Sequence, residues 1–146
     1  MKVGILSFQG SFLDHSKSIL SIGATPVLIK NEADIYDLDA LILPGGESTA
    51  MKKIDSYSKV FSVLDDFIKS GKPTLSTCAG TILLAKDVIG GDTTIPNIDI
   101  QVTRNAYGRQ TESFEGSVSF YDNNDIYCFI RAVSYTHLTL PTISCV

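Results

Sequence analysis

Cys78 stands between small residues, Ser76-Thr77-Cys78-Ala79-Gly80, at the junction of two apolar stretches, Pro73 to Thr77 and Ile82 to Ala85. A nucleophile on a sharp strand-to-helix turn needs small neighbours, because its backbone is held in a strained conformation that bulky side chains would obstruct. In that setting the thiol points into a cleft. The amino end of the following helix favours negative charge, and the N–H of Ala79 can donate to an oxyanion. These are the needs of acyl transfer. An isolated cysteine is more often a small buried hydrophobe, and the strand-turn-helix setting is what separates Cys78 from that case.

A second loop, Pro44-Gly45-Gly46-Glu47-Ser48-Thr49, follows the apolar run Ala40 to Leu43 and opens another expected helix. Glycines after a strand often serve chain reversal alone, and Glu47 and Ser48 suit a solvated helix start. The functional alternative is that Gly46, with no side chain in the way, brings a backbone N–H to the oxyanion facing Cys78.

These two loops need a scaffold that sets them side by side. Residues 2 to 8 form an apolar run bounded by Gly10, the pattern of a buried strand. Ser11 can cap a helix running to about Ile22, with Phe12, Ile19, Leu20 and Ile22 available for packing and Gly23 at its end. Pro26 to Lys30 and Ala40 to Leu43 read as the next strands. Val60, Phe61, Leu64, Phe67 and Ile68 recur at helical spacing before Gly71, and Pro73 to Thr77 is the fourth strand. Strands alternating with helices predict right-handed βαβ units and a parallel sheet whose sites lie at the strands' carboxyl ends. Beyond Pro96 the period changes to two, with Ile98, Ile100 and Val102 on one face. Further strands are predicted at Phe114 to Tyr121 and Ile126 to Arg131.

The 146 residues suit one domain with one core. Hydrophobic residues at 44% and charged residues at 19% argue for a globular protein. A net charge of -4 disfavours general attraction to nucleic acid or anionic membrane. No signal peptide or membrane-spanning run is read, and three cysteines without a CxxC pair indicate neither a disulfide framework nor a zinc site. The expectation is a cytoplasmic protein that binds no metal.

The segments FQGSFLDH (8 to 15), LILPGGEST (41 to 49), GKPTLSTCAGTILLAK (71 to 86), RNAYGRQ (104 to 110), SFE (113 to 115) and FIRA (129 to 132) occur in this order. Over residues 1 to 132 the chain resembles the glutaminase-subunit family of pyridoxal 5'-phosphate synthase, within the class I glutamine amidotransferases. The resemblance implies a Rossmann-like three-layer α/β fold with a mostly parallel sheet. It implies hydrolysis of L-glutamine through a Cys78 thioester, with ammonia passing to a synthase subunit for vitamin B6 synthesis, and no cofactor in this subunit. It assigns Gly46 and Ala79 to the oxyanion hole, and Gly46, Glu47, Ser48, Arg104, Ile130 and Arg131 to the glutamine site. Gln9 falls near the partner interface. Without the resemblance, Arg104 and Arg131 read as exposed or ion-paired arginines.

The family's base is a histidine followed two residues later by a glutamate, in a late segment without a counterpart here. His15 falls on the first helix and reads as a surface or interface residue. From about Val133 the sequence VSYTHLTLPTISCV, which holds His137 and Cys145, resembles translated sequencing-adapter read-through. The expectation is a glutamine amidotransferase domain over 1–132, incomplete at its carboxyl end, and a non-native tail over 133–146, with the chain itself nearly inactive for want of a base. Ser76 also departs from the glycine usual in the family's elbow. Two other readings stand beside this one: a DJ-1-like cysteine hydrolase on a similar scaffold, and an inactive fragment that only binds the synthase.

Overall fold

A computed structural model describes residues 1–106, 114–120, 123–129 and 134–137. Its centre is a four-stranded parallel sheet of β1 (Lys2–Leu6), β2 (Thr25–Ile29), β3 (Ala40–Leu43) and β4 (Thr74–Ser76), in the order β2-β1-β3-β4. This is the predicted α/β arrangement. In β1 everything after Lys2 is buried, as expected of a central parallel strand covered on both faces.

Register sorts the strand residues by face. Ile5 pairs with Ile42, and Ile42 with Leu75, so these three share one side of the sheet. Gly4 pairs with Leu41, and together with Leu6 and Leu43 they look to the other. On the Leu41 side lie α2 (Ser48–Ser58), α3 (Val60–Lys69) and α4 (Ala79–Leu84). Leu6, Leu41, Leu43, Met51, Leu64 and Leu83 belong to one buried cluster there. On the Ile42 side lies α1 (Phe12–Ser21), against Val3, Ile5, Ala24 and Ile42.

Helix α1 does not pack as fully as its sequence suggests. Phe12 and Ile19 are partly buried against the sheet, but Leu20 and Ile22 stay 61% and 69% exposed. Ser11 occupies the position before the helix yet makes no side-chain cap; its hydroxyl has another partner, described below. Between α2 and α3 the chain turns at Lys59, whose φ of 57° and ψ of 20° place a non-glycine residue in the left-handed region. Asp55 supports that break: its carbonyl oxygen accepts from Lys59 N, and its Oδ1 accepts from Phe61 N at 2.8 Å.

The second part of the chain forms a smaller sheet. β5 (Ala85–Ile89) runs parallel to β6 (Ile98–Thr103), and β6 pairs antiparallel with β9 (Ser134–His137). Ile82, Ala85, Val88, Ile100 and Val102 form its core. β7 (Phe114–Phe120) and β8 (Asn123–Phe129) make a hairpin, close to the predicted strands. β5 departs from expectation: a helix is predicted over Ile82 to Ala85, but α4 ends at Leu84 and Ala85 already begins the strand. The candidate site residues Ile130 and Arg131, together with Cys145, lie outside the described residues.

Candidate active site

The end of β4 and the start of α4 form the turn expected at Cys78. Thr77 N donates to Leu43 O at 3.0 Å, extending the pairing of β3 with β4 by one residue. The next residue breaks the pattern: Cys78 has φ 43° and ψ -103°, a conformation that costs an L-residue about 1–3 kcal/mol and persists only when its surroundings enforce it. The enforcement is visible on the downstream side. Ile82 N donates to Cys78 O at 3.1 Å, and Gly80 N lies within hydrogen-bond distance of Pro44 O and Thr77 O, at 3.1 and 2.8 Å. Gly80 must be glycine, because a Cβ there would lie 2.1 Å from the Leu43 carbonyl oxygen. Ser76 is tied to the following helix by a 3.1 Å hydrogen bond between its Oγ and Thr81 Oγ1. Cys78 itself is exposed. Ala79, first in the helix, has no intrahelical acceptor for its N–H.

The Pro44–Thr49 loop leaves β3 beside this turn. A Cβ built on Gly45 would lie 3.5 Å from Cys78 Cβ, so the loop runs close to the turn, and the hydrogen bond from Gly80 N to Pro44 O joins the two. The segment after β1 grips the glycine loop from the other side. Ser11 N and Oγ both donate to Gly45 O, at 3.0 and 3.4 Å, and Glu47 N donates to Gln9 Oε1 at 2.6 Å. Gly10, with φ 97°, allows this approach, since a Cβ there would meet Gly45 O at 1.9 Å. Gln9, the candidate partner-facing residue, is thus exposed and bound to the loop through its side chain.

Glu47 caps α2: its Oε1 accepts from Thr49 N at 3.1 Å. Arg104, at the end of β6, donates through Nη2 to Glu47 Oε1 at 3.3 Å and Thr49 Oγ1 at 3.1 Å. The smaller sheet therefore delivers an arginine to the glycine loop of the larger one. Ser48 is 2% exposed and sits beneath the loop. A second cation lies near Arg104: burial lowers the pKa of Lys52, the Asp92 carboxylate opposes that, and the Arg104 charge adds to it. Lys52 Nζ donates to the Asp92 carbonyl oxygen.

The structure thus brings together Cys78, Ala79, Gly46, Glu47, Ser48, Arg104 and Gln9. It also adds Gly10, Ser11, Thr49 and Lys52, which sequence reading had not placed at the site; the short spacing of Gln9, Gly10 and Ser11 after a strand was the one signal available. No base accompanies Cys78 among the hydrogen bonds of the described residues: His15 Nε2 lies 3.4 Å from Thr77 Oγ1. Nor do three His, Cys, Asp or Glu side chains gather as metal ligands among those residues.

Residues 5–143 match the model of the SNO glutamine amidotransferase family. The chain belongs to that family. Its relatives include a protein of Methanocorpusculum labreanum named pyridoxal 5'-phosphate synthase subunit PdxT. That protein is 41% identical over 140 residues, 94% of this chain and 74% of its own length. A PdxT of Bacillus cereus is 46% identical over 136 residues, 90% of this chain and 69% of its own length. A solved structure described as a glutamine amidotransferase superimposes with a TM-score of 0.80 at 32% identity, covering 94% of this chain and 75% of that one. No helix among the described residues is long and apolar enough to cross a membrane.

Proposed function

We propose that this chain is the glutamine-hydrolysing subunit of a pyridoxal 5'-phosphate synthase. The observation that carries the reading is the strained Cys78, at φ 43° and ψ -103°, on a turn hydrogen-bonded through Gly80 N to Pro44 O of the glycine loop, whose Glu47 holds Arg104. The names of relatives that are more than 40% identical over about nine-tenths of the chain agree with it. In this reading Cys78 Sγ attacks the side-chain amide carbon of L-glutamine. The N–H groups of Gly46 and Ala79 take the developing oxyanion. Ammonia leaves, and water then resolves the γ-glutamyl thioester to glutamate. Gly46, Glu47, Ser48 and Arg104 line the amino-acid site, with Ile130 and Arg131 from the segment outside the described residues. Gln9 faces the synthase subunit, which receives the ammonia, and the pair works in the cytoplasm.

Departure of ammonia needs a proton donor, and Cys78 needs a base. The contact of His15 with Thr77 does not place an imidazole at the sulfur. With no base at Cys78 among the described residues, turnover by the 146-residue chain is expected to be slow. The test is ammonia release from glutamine, with a synthase subunit present. Two proteins are compared: this chain, and this chain joined to the stretch of the Bacillus cereus relative that the match leaves uncovered. Strong turnover in the second, abolished by Cys78→Ala, supports the reading. Fast turnover by the chain alone, lost with Cys78→Ala, would overturn the missing-base argument. Silence in both would favour a purely binding role.

A further inference from the structure

We infer that His15 is a positioning residue for the nucleophile: held against Thr77, its imidazole fixes the upstream side of the strained turn on which Cys78 sits. The inference rests on the reading of Cys78 as nucleophile, and on a contact between residues 62 apart in sequence.

A residue at φ 43° and ψ -103° relaxes unless both of its flanks are held. Downstream, Gly80 and Ile82 anchor α4. Upstream, Thr77 carries the restraint. Its N–H is engaged by Leu43 O, and its carbonyl oxygen lies 2.8 Å from Gly80 N. What remains is the hydroxyl, partly buried, 3.4 Å from His15 Nε2. The same hydroxyl faces Gly45: a Cβ there would lie 3.7 Å from it and 3.5 Å from Cys78 Cβ. The Thr77 side chain therefore occupies the space beside Gly45 where the two loops run together.

The placement of α1 gives the contact its weight. No residue of α1 is fully buried, and its first turn has only the partly buried Phe12 against the sheet. Polar ties add to that packing: Gln9 to Glu47 N, Ser11 to Gly45 O, and His15 to Thr77. The first two hold the glycine loop, and the third holds the elbow. One helix start thus sets both halves of the site, and His15 is the residue through which it reaches the nucleophile.

The experiment measures the rate at which iodoacetamide alkylates Cys78, resolved from the other cysteines by peptide mass spectrometry, alongside thermal unfolding. His15→Leu and Thr77→Val are each expected to slow alkylation about five-fold, the scale of one neutral hydrogen bond, with little change in unfolding temperature. The double variant should be no slower than either single one, because both remove the same contact. His15→Gln, which can still hydrogen-bond, should recover most of the rate. Unchanged rates, multiplying effects, or a rate loss that tracks unfolding in every variant including His15→Gln would overturn the proposal. The parent chain is also treated with a chloroketone shaped like glutamine. If it takes iodoacetamide but not the chloroketone, the glutaminase reading fails and the role of His15 can still be decided. If it takes both and the variants match it, the role of His15 alone fails.

Discussion

The two faces of the parallel sheet are built differently. On one, Leu6, Leu41 and Leu43 lie under α2, α3 and α4, in a cluster where Met51, Val60, Leu64 and Leu83 are all fully buried. On the other, Val3, Ile5 and Ile42 lie under α1, which buries none of its own residues. The same strands feed both faces, so the difference comes from the helices. α3 presents Val60, Phe61, Leu64 and Phe67 along one stripe, whereas α1 turns Leu13 and Leu20 to solvent. At the open end of that second face Leu75, the register partner of buried Ile42, is 54% exposed. The site lies at the edge shared by the two faces. Its glycine loop leads into α2, which buries Ser48 and Met51 on the leucine-rich face, and its polar ties come from the start of the loosely packed α1.

The largest expected effect tests that contrast directly. Leu64→Ala, which empties a fully buried position, should lower the unfolding free energy by about 3 kcal/mol. Leu75→Ala on the half-exposed side should cost less than about 1 kcal/mol. Urea titrations of the two variants give the comparison; equal losses would mean that the second face is packed as tightly as the first. A smaller effect of opposite sign is expected at the elbow. Cys78→Gly removes the Cβ that makes φ 43° costly and should raise the unfolding free energy by about 1 kcal/mol while abolishing glutamine chemistry. A loss of stability there would show that the turn stores no strain.

Much of this architecture could be read from sequence, and the reasons are local. β1, β3 and the strand before Cys78 are apolar runs ended by glycine, proline or a small-residue turn, and each was foreseen at nearly its observed limits. β5 was not, because Ala85 and Val88 are its buried residues while Lys86, Asp87 and Ile89 are exposed. That is no period of two, and the register against β6 shifts between Ala85 and Asp87, as a bulge requires. The break at Lys59 lacks the glycine that usually marks a left-handed residue. At the site, Cys78 and the two glycines announce themselves by type and spacing. The ties from Ser11 to Gly45 and from His15 to Thr77 span 34 and 62 residues, and no local pattern encodes them. Arg104 had no local signature either. Its place came from family resemblance, and the structure explains it through β6, which ends beside Glu47.

The well-packed face also has a polar fastening, and its pH dependence separates it from the apolar core. Asp65 on α3 accepts from Lys69 Nζ at 2.6 Å and from Asn97 Nδ2 at 2.8 Å, the latter joining α3 to the segment before β6. The hydrogen bond from Lys69 and then that from Asn97 favour the carboxylate, holding its pKa below the ordinary 3.8 against the opposing effect of burial. A carboxyl group with a depressed folded-state pKa binds fewer protons in the folded chain than in the unfolded one. It therefore contributes stability that is fully present above the ordinary value and is lost as pH falls through the folded value. Asp65→Asn should accordingly be less stable than the parent at neutral pH, by less than the change at Cys78→Gly because the pair is largely solvated. The two proteins should converge as pH falls below the ordinary carboxylate range. Denaturant midpoints measured from neutral pH downward decide this: a gap that stays constant would assign the effect of Asp65 to packing, and a closing gap assigns it to the charge-assisted bonds of its carboxylate, one within α3 and one from Asn97 before β6.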